Sequence, residues 1–318
     1  MPDNKVIVIV GPTASGKTRL SLRIAELFDG EIVSADSMQI YKYMDIGTAK
    51  PTPEQMRTVP HHMIDFVSPL STYTLADYLT DAKKCIDDIL RRGRLPIITG
   101  GTGLYVSALA DNIKLADMAF DEDFRAYLAD LARRQGAYAL RRLLRSVDET
   151  AAEKIHDGDI KRASRGLEVY RQTGKTPTDL NRESKREPSP YDFYMIGLNY
   201  SDRAELYKRI NDRVEQMFKD GLREEVSKLR DSGMFRPGST AYQAIGYRQF
   251  GEYFEGRITI EDLKELIKRD TRRYAKRQLT WFRRDPRIKW INMVNPDDEY
   301  LDDLIKKLRK DIEIFLKV

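Results

Sequence analysis

A glycine-rich segment near the start of the chain contains the residue types that bind phosphate. It consists of Gly11, Pro12, Thr13, Ala14, Ser15, Gly16, Lys17 and Thr18. The spacing fits the P-loop pattern G-x-x-x-x-G-K-S/T, and the segment lies between an apolar run and an amphipathic run, as that motif requires. In such a loop, backbone N–H groups and a helix amino end face the phosphates, Lys17 adds a positive charge and Thr18 binds Mg²⁺. The segment therefore predicts a di- or triphosphate site, for which a kinase or NTPase is the usual reaction.

A second group of polar residues, 34–41, begins where the second apolar run ends. The carboxyl ends of parallel strands face the ligand crevice, so Asp36 is well placed for chemistry. Its carboxylate suits a general base or a Mg²⁺ ligand. The alternative is an Asp that only caps the next helix.

A second glycine-rich turn, residues 99–105, follows the third apolar run at the same edge of the predicted sheet. The hydroxyl of Thr102 in this turn is able to reach a phosphate oxygen. Glycine-rich turns between strands and helices are common, however, so a purely structural role stays open.

Patterns typical of metal-binding proteins are weak in this chain. We reject a metal site at His61–His62, because neighbouring residues of a strand point to opposite faces and no third clustered His supports it. Cys85 is the only cysteine, which excludes cysteine-based zinc sites and disulfides within the chain. We therefore expect Mg²⁺ at the phosphates and a cytoplasmic protein, since no export signal precedes the first strand.

Five short apolar runs rich in branched residues predict buried strands. They are residues 5–10, 31–34, 95–99, 193–198 and 289–293. Helical patterns separate the first three runs. This alternation predicts an α/β fold with a parallel sheet.

The strand pattern disappears between residues 115 and 181, where charged segments with leucines at helical spacing predict amphipathic helices. The polar stretch 181–190 predicts a loop before the next strand. We therefore predict a P-loop core of residues 1–114 and 191–318, interrupted by an all-helical domain of residues 115–190. In the second part of the core, residues 202–228 predict one helix with Arg209 and Arg213 on a polar face.

Charge and hydropathy restrict the partners. No stretch approaches the roughly 18 consecutive apolar residues of a membrane span, so we expect no membrane partner. The net charge is +5, but between Lys268 and Lys289 there are ten Lys and Arg against two Asp. This density favours a polyanion as partner, with a solvated helix face as the alternative.

Six segments together resemble the tRNA isopentenyltransferase family, that of the bacterial tRNA dimethylallyltransferases. They are residues 11–18, 34–41, 45–50, 100–105, 243–248 and 271–278. Their number and order make the resemblance more specific than the P-loop alone. The chain departs from the family at Asp157 and Gly158, where Pro-Asn is usual.

The resemblance implies transfer of a dimethylallyl group from dimethylallyl diphosphate to the exocyclic N6 of the tRNA adenine just 3′ of the anticodon, with Mg²⁺. It also implies a P-loop core with an inserted helical domain that contacts tRNA. The expected partners are the anticodon stem-loop and the prenyl donor, and the enzyme is expected to act as a monomer.

The resemblance also implies roles for individual residues. Asp36 corresponds to the base, Thr102 to a threonine near the bridging oxygen, and Arg213 with Lys17 to cations that assist the diphosphate. The P-loop residues 11–18 bind the diphosphate, and Thr18 binds the metal. The residues expected to touch tRNA are Asp36, Ser37, Met38, Gln39, Thr102, Arg125, Lys161, Arg162, Ala163, Ser164, Arg165, Gln243, Ala244, Ile245, Gly246, Tyr247 and Arg248.

Two other functions stay open from the residues. The first is a P-loop kinase that binds ATP and phosphorylates a small molecule. The second is a non-catalytic RNA-binding protein with a vestigial P-loop. Turnover of the donor distinguishes all three.

Overall fold

The computed structural model describes residues 4–115, 121–184, 187–294 and 298–317. The chain divides into two compact units. The first comprises Met1–Ser107 and Tyr191–Val318, and the second comprises Ala108–Pro190. Residues 116–120 and 185–186 of the predicted helical domain lie outside the described residues.

The first unit is built on a parallel sheet, which has six strands in the described part of the chain. They are β1 (Lys5–Val10), β2 (Gly30–Ser34), β3 (His61–His62), β4 (Leu95–Gly100), β5 (Asp192–Tyr200) and β6 (Ile288–Met293). Their spatial order is β3-β2-β4-β1-β5-β6, and all neighbours are parallel. The predicted α/β fold with a parallel sheet is confirmed, and so are the five predicted strands. The additional strand β3 is too short for a sequence pattern to indicate.

Helices form most of the remaining described chain. They are α1 (Lys17–Leu27), α2 (Pro53–Thr58), α3 (Leu75–Arg91), α4 (Gly103–Ala110), α5 (Glu122–Gln135), α6 (Ala137–Arg145), α7 (Glu149–Glu153), α8 (Ile160–Thr173), α9 (Pro177–Ser184), α10 (Arg203–Lys219), α11 (Leu222–Asp231), α12 (Phe250–Phe254), α13 (Ile260–Phe282) and α14 (Asp298–Lys317). The described residues of the second unit form helices and no strand, in agreement with the predicted fold class. Within the described ranges, no helix is both long and apolar enough to cross a membrane.

The central strands of the sheet are buried on both faces, as expected for parallel strands. All six residues of β1 are buried. Ile7 and Ile9 point to one face and pack with α1 and α14, because alternate residues of a strand share a face. Helix α3 packs against β2 and β4 and buries Tyr78, Ala82 and Ile86. This burial fixes the strand ends from which the loops of the site emerge.

Two sequence predictions about element boundaries are wrong. Residues 202–228 form two helices, α10 and α11, because Gly221 adopts the left-handed conformation with φ +100° and ends the helical path. Residues 181–184 are the last residues of α9 rather than part of a loop. Ser184 stabilises that helix end, since its hydroxyl donates to the carbonyl of Leu180 at 2.9 Å and accepts from the backbone N–H of Lys114 at 3.2 Å.

A buried carboxylate links the strands at the far edge of the sheet. Glu31 in β2 is 1% exposed and accepts hydrogen bonds from Arg92 (2.8 Å to Oε2) and Arg94 (3.0 Å to Oε1). Its Oε2 also lies 2.6 Å from Nε2 of His62 in β3. Burial opposes ionisation, but these three hydrogen-bonding partners outweigh it and lower the pKa of Glu31 from 4.5 to about 2. The cluster therefore holds the short strand β3 in place as long as the carboxylate is charged.

We expect Glu31→Gln to lower the free energy of unfolding by about 3 kcal/mol at pH 7, since folding lowers the pKa of this carboxyl from 4.5 to about 2. The folded-state pKa is the lower one, so this contribution is complete above pH 4.5 and is lost as the pH falls towards 2. Urea unfolding of both proteins at pH 7 and at pH 3.5 measures the difference.

The matched control is Glu26→Gln, because Glu26 is exposed and pairs with Arg23 on the surface of α1. It should change stability by less than about 0.5 kcal/mol at either pH. An equal loss for Glu31→Gln at pH 7 and pH 3.5 would contradict the assignment.

Candidate active site

The P-loop has the geometry that an anion requires. It connects β1 to α1, and a Cβ on Gly11 (φ +149°) would lie 2.7 Å from the carbonyl oxygen of Leu198. Gly16 caps α1 with φ +93° and has no side chain to occupy the first N–H groups of the helix. Those donors and the helix dipole therefore point at the loop and are available to a phosphate.

Lys17 lies in the loop with its charge close to other charges. Its Nζ donates to the carbonyls of Gly11 at 2.9 Å and Pro12 at 2.7 Å. Burial lowers the pKa of Lys17 to about 7, with a further decrease from the Arg213 guanidinium and a partial increase from Asp36. Burial likewise lowers the pKa of Arg213, which Asp36 raises. Two cations thus lie in a partly desolvated place where a bound anion would stabilise both.

Asp36 follows β2 and faces the same space. Its Oδ1 accepts from the backbone N–H of Met38 at 2.9 Å, so the carboxylate organises its own turn as well as facing the cavity. Thr102 supports this turn from the neighbouring loop, since its Oγ1 accepts from the N–H of Ser37 at 2.9 Å and lies 3.2 Å from the Ser37 hydroxyl. The two loops are therefore one hydrogen-bonded unit.

Helix α13 joins the phosphate loop to the second glycine-rich turn. The buried Gln278 accepts from the N–H of Thr13 at 2.9 Å and donates to the carbonyl of Gly101 at 2.9 Å. A Cβ on Gly101 would lie 2.1 Å from Gln278 Nε2, so a larger residue there would displace this side chain. One turn earlier, burial and the charge of Asp36 raise the pKa of Tyr274, whose hydroxyl stays neutral. Sequence reasoning assigned Gln278 no role, although it belongs to the segment 271–278.

These elements enclose a cavity of about 300 Å³ within the first unit. Predicted site residues that line it are Thr13, Lys17, Thr18, Asp36, Ser37, Met38, Gln39, Arg213, Gln243, Ala244, Ile245, Gly246 and Arg248. Its apolar wall includes Ile210, Val214, Met217 and Ile267. The cavity therefore combines a phosphate loop, a carboxylate and a hydrophobic surface.

A second, more polar pocket lies on the other side of the phosphate loop. It includes Arg19, Lys50, Arg209 and Asp212, and it shares Lys17, Thr18 and Arg213 with the first cavity. Arg209 fixes the loop here, because its Nε donates to the carbonyl of Ala14 at 3.1 Å. Both pockets therefore give access to an anion bound at the phosphate loop.

Several residues predicted to touch tRNA do not line this cavity. Tyr247 is fully buried, and its hydroxyl donates to Glu225 at 2.6 Å. In the second unit, Ala163 is 1% exposed, whereas Lys161, Arg162 and Arg165 on α8 are exposed. Arg125 in the same unit forms a 2.6 Å hydrogen bond with the buried carboxylate of Glu168.

The donor set of the cavity fits a metal held together with a phosphate better than a metal held by protein alone. Among the described residues there is no group of three or more His, Cys, Asp and Glu side chains that suits a metal ion. Thr18 is exposed at the amino end of α1 and lines both pockets. His61 and His62 have other partners, the carbonyl of Val59 at 2.7 Å and Glu31.

A phosphate loop and a carboxylate in one cavity, at the carboxyl edge of a parallel sheet, define the class as a P-loop enzyme. The family model described as IPP transferase matches residues 39–285, and the one described as isopentenyl transferase matches residues 4–71. The tRNA dimethylallyltransferase of Carboxydothermus hydrogenoformans is 48% identical over 91% of this chain and 92% of its own length.

Solved structures agree. The full-length tRNA isopentenylpyrophosphate transferase of Bacillus halodurans is similar with a TM-score of 0.72 and 41% identity, over 99% of this chain and 98% of that one. A eukaryotic dimethylallyltransferase acting on tRNA has a TM-score of 0.79 and 31% identity, over 92% of this chain and 74% of that one. The chain belongs to the tRNA dimethylallyltransferase family of prenyltransferases.

The pKa of Lys17 leads to a prediction about proton uptake. At pH 8 the free Lys17 amine is mostly neutral, and a bound diphosphate raises its pKa, so pyrophosphate binding takes up a proton. Affinity should therefore fall as the pH rises from 6.5 to 8.5. Calorimetric titration with pyrophosphate in two buffers of different ionisation enthalpy measures this uptake.

Lys17→Arg is the control, because arginine keeps the charge and does not titrate in this range. It should remove most of the proton uptake at pH 8, while the protonation of pyrophosphate itself is common to both proteins. Equal uptake by the two proteins would show that Lys17 is already charged in the free enzyme.

Proposed function

We propose that this enzyme transfers a dimethylallyl group from dimethylallyl diphosphate to the exocyclic N6 of the tRNA adenine just 3′ of the anticodon, and releases diphosphate. The observation that supports it best is the composition of the cavity: a P-loop, the carboxylate of Asp36 and an apolar wall share one space. A phosphoryl acceptor needs no apolar wall, whereas a prenyl chain does.

The reaction follows from these groups. The N6 atom forms a bond to the first carbon of the allyl group, while the carbon–oxygen bond breaks and its electron pair stays on the departing diphosphate. The amine is a poor nucleophile because its lone pair is delocalised into the ring, so Asp36 takes its proton during attack. Lys17, Arg213 and the P-loop N–H groups stabilise the charge that develops on the leaving group.

Thr102 acts next to these groups. It is hydrogen-bonded to Ser37, directly after Asp36 in the chain, and the same hydroxyl is one of the partners of Tyr274. We assign it the place near the bridging oxygen of the donor. Its hydroxyl would exchange its contact with Ser37 for one with that oxygen.

Mg²⁺ is the metal that we propose for this site. Thr18 would hold it together with oxygens of the diphosphate, because Mg²⁺ prefers hard oxygen ligands and retains substrate phosphates and water among them. Bound there, the ion neutralises charge on the leaving group. The P-loop residues 11–18 would hold the diphosphate itself.

The second unit supplies cations suited to an RNA backbone. We propose that residues 115–190 form a tRNA-binding domain. Glu168 is shared by Arg125 and Arg165, so one carboxylate leaves an excess of positive charge there. Lys161 and Arg162 are exposed on the same helix as Arg165.

In the first unit, Arg269, Arg273 and Lys276 are exposed on α13. Such side chains bind phosphates without reading sequence, and a loop adenine is cheaper to extrude than a paired one. We therefore propose the anticodon stem-loop as the bound element, with residues 36–39, 243–246 and Arg248 at the base. We also propose a monomer that works in the cytoplasm.

The direct test is transfer itself. Incubation with labelled dimethylallyl diphosphate and under-modified tRNA should label the tRNA, with unlabelled diphosphate released. Consumption of ATP in the absence of RNA, with no label on tRNA, would instead support a kinase. RNA binding unaffected by Lys17→Ala, without turnover of either donor, would support a binding protein.

For the base, we expect Asp36→Asn to lower kcat by about 100-fold or more, while donor and tRNA affinities change little. The asparagine keeps the hydrogen bond to the Met38 N–H but cannot accept the proton. Single-turnover kinetics with saturating tRNA measures the chemical step. Near-normal turnover would exclude Asp36 as the base, and Asp231→Asn, at an exposed place on α11, controls for the loss of one carboxylate.

A further inference from the structure

The loop of residues 45–50 forms one wall of the cavity. Gly47, Thr48 and Ala49 line it. The carbonyls of Thr48 and Ala49 accept from Nε2 of Gln39 at 3.3 and 3.2 Å, so the loop also determines where Gln39 lies. A loop without regular structure needs other partners to hold its backbone.

A single carboxylate supplies most of these partners. Glu225 on α11 accepts from the N–H groups of Asp45 at 2.9 Å and Ile46 at 2.8 Å through Oε2, and from Gly47 at 3.3 Å through Oε1. Its Oε1 also accepts from the Tyr247 hydroxyl at 2.6 Å. Four donors thus converge on one side chain, as they do on a bound anion.

The ring of Tyr247 closes the other side of the loop. It is fully buried, and a Cβ on Gly47 would lie 2.4 Å from its Cε2 atom, so only glycine allows this approach. Burial and the charge of Glu225 raise the pKa of Tyr247 well above its ordinary value, which keeps the hydroxyl protonated and donating. Helix α11 itself is anchored by the buried Leu222 and Val226.

The far end of the loop has a second anchor. Lys50 Nζ donates to the carbonyl of Tyr41 at 2.7 Å, to Asp45 at 2.6 Å and to Asp65 at 2.7 Å. Its side chain is only 4% exposed. Loss of Glu225 would therefore free the backbone N–H groups of residues 45–47, while Lys50 still ties the two ends of the loop together.

We propose that Glu225 is a positioning residue for the acceptor: it holds residues 45–47 so that the loop and Gln39 form the wall against which the tRNA adenine is placed. This role in acceptor binding rests on the proposed function. The P-loop has its own anchors at Gln278 and Arg209, so the prenyl donor should be little affected.

Hydrogen exchange tests the contact without reference to activity. Glu225→Ala should accelerate exchange of the amides of residues 45–47 by at least 10-fold, while the amides of residues 11–18 keep their rates. Glu224→Ala is the matched control, because Glu224 is the exposed neighbour on the same helix. Unchanged exchange at residues 45–47 in Glu225→Ala would overturn the proposal.

Kinetics then tests the function of the contact. Glu225→Ala should reduce kcat/KM for tRNA by at least 10-fold and leave KM for dimethylallyl diphosphate within 3-fold of the wild type. For Glu225→Gln, which keeps the size and one acceptor oxygen, kcat/KM for tRNA should lie between the values of Glu225→Ala and the wild type. Tyr247→Phe should reduce kcat/KM for tRNA by a smaller factor than Glu225→Ala. Glu224→Ala should match the wild type.

The outcomes separate the two proposals. A loss shared equally between tRNA and donor parameters would indicate general destabilisation and contradict a positioning role. Absence of transfer by the wild type would remove the proposed function, whereas the exchange experiment would still decide whether Glu225 holds the loop.

Discussion

The parallel register of the central strands is the constraint on which the site depends. Val10 of β1 lies opposite Gly100 of β4, and Ser34 of β2 lies opposite Thr99. The three strands therefore end at the same level, and the loops that follow them are forced into contact. Ala35 donates to the carbonyl of Thr99 at 2.8 Å and accepts from the N–H of Thr102 at 3.1 Å. A Cβ on Gly100 would lie 2.2 Å from the Ala35 oxygen, which shows how little room this arrangement leaves.

Such crowding brings charges together in a partly dry space. Burial lowers the pKa values of Lys17 and Arg213, the Arg213 charge lowers that of Lys17 further, and Asp36 raises both in part. In the free site these positive charges are destabilised by burial. A bound diphosphate supplies negative charge that stabilises them, so the site favours an anion. The same Asp36 lines the cavity together with Lys17 and Arg213. One carboxylate thus serves the electrostatics of the free site and the proton transfer of the proposed reaction.

The sequence predicted well those features that depend on residues close together in the chain. The P-loop lies within eight consecutive positions, and the buried strands are continuous apolar runs, so both follow from local patterns. The break between α10 and α11 was missed because a single glycine inside a helical pattern does not reveal its φ value. Tyr247 belongs to a motif expected at the tRNA, yet its side chain is buried, since a motif does not show which way each member points. Glu225 belongs to none of the six segments and was not anticipated at all.

The residues that hold the loops share a reason for being hard to predict. Gln278 and Thr13 are 265 positions apart, Arg209 and Ala14 are 195 apart, and Glu225 and Asp45 are 180 apart. In each case the side chain belongs to a helix that comes after the second unit in the sequence. The loop backbone to which it bonds comes before the second unit. Loops around a cavity leave backbone N–H and C=O groups without strand or helix partners, and unpaired groups of this kind are costly when buried. Helices α10, α11 and α13 provide those partners, so the segment after the second unit completes a site whose reacting residues mostly come from the segment before it.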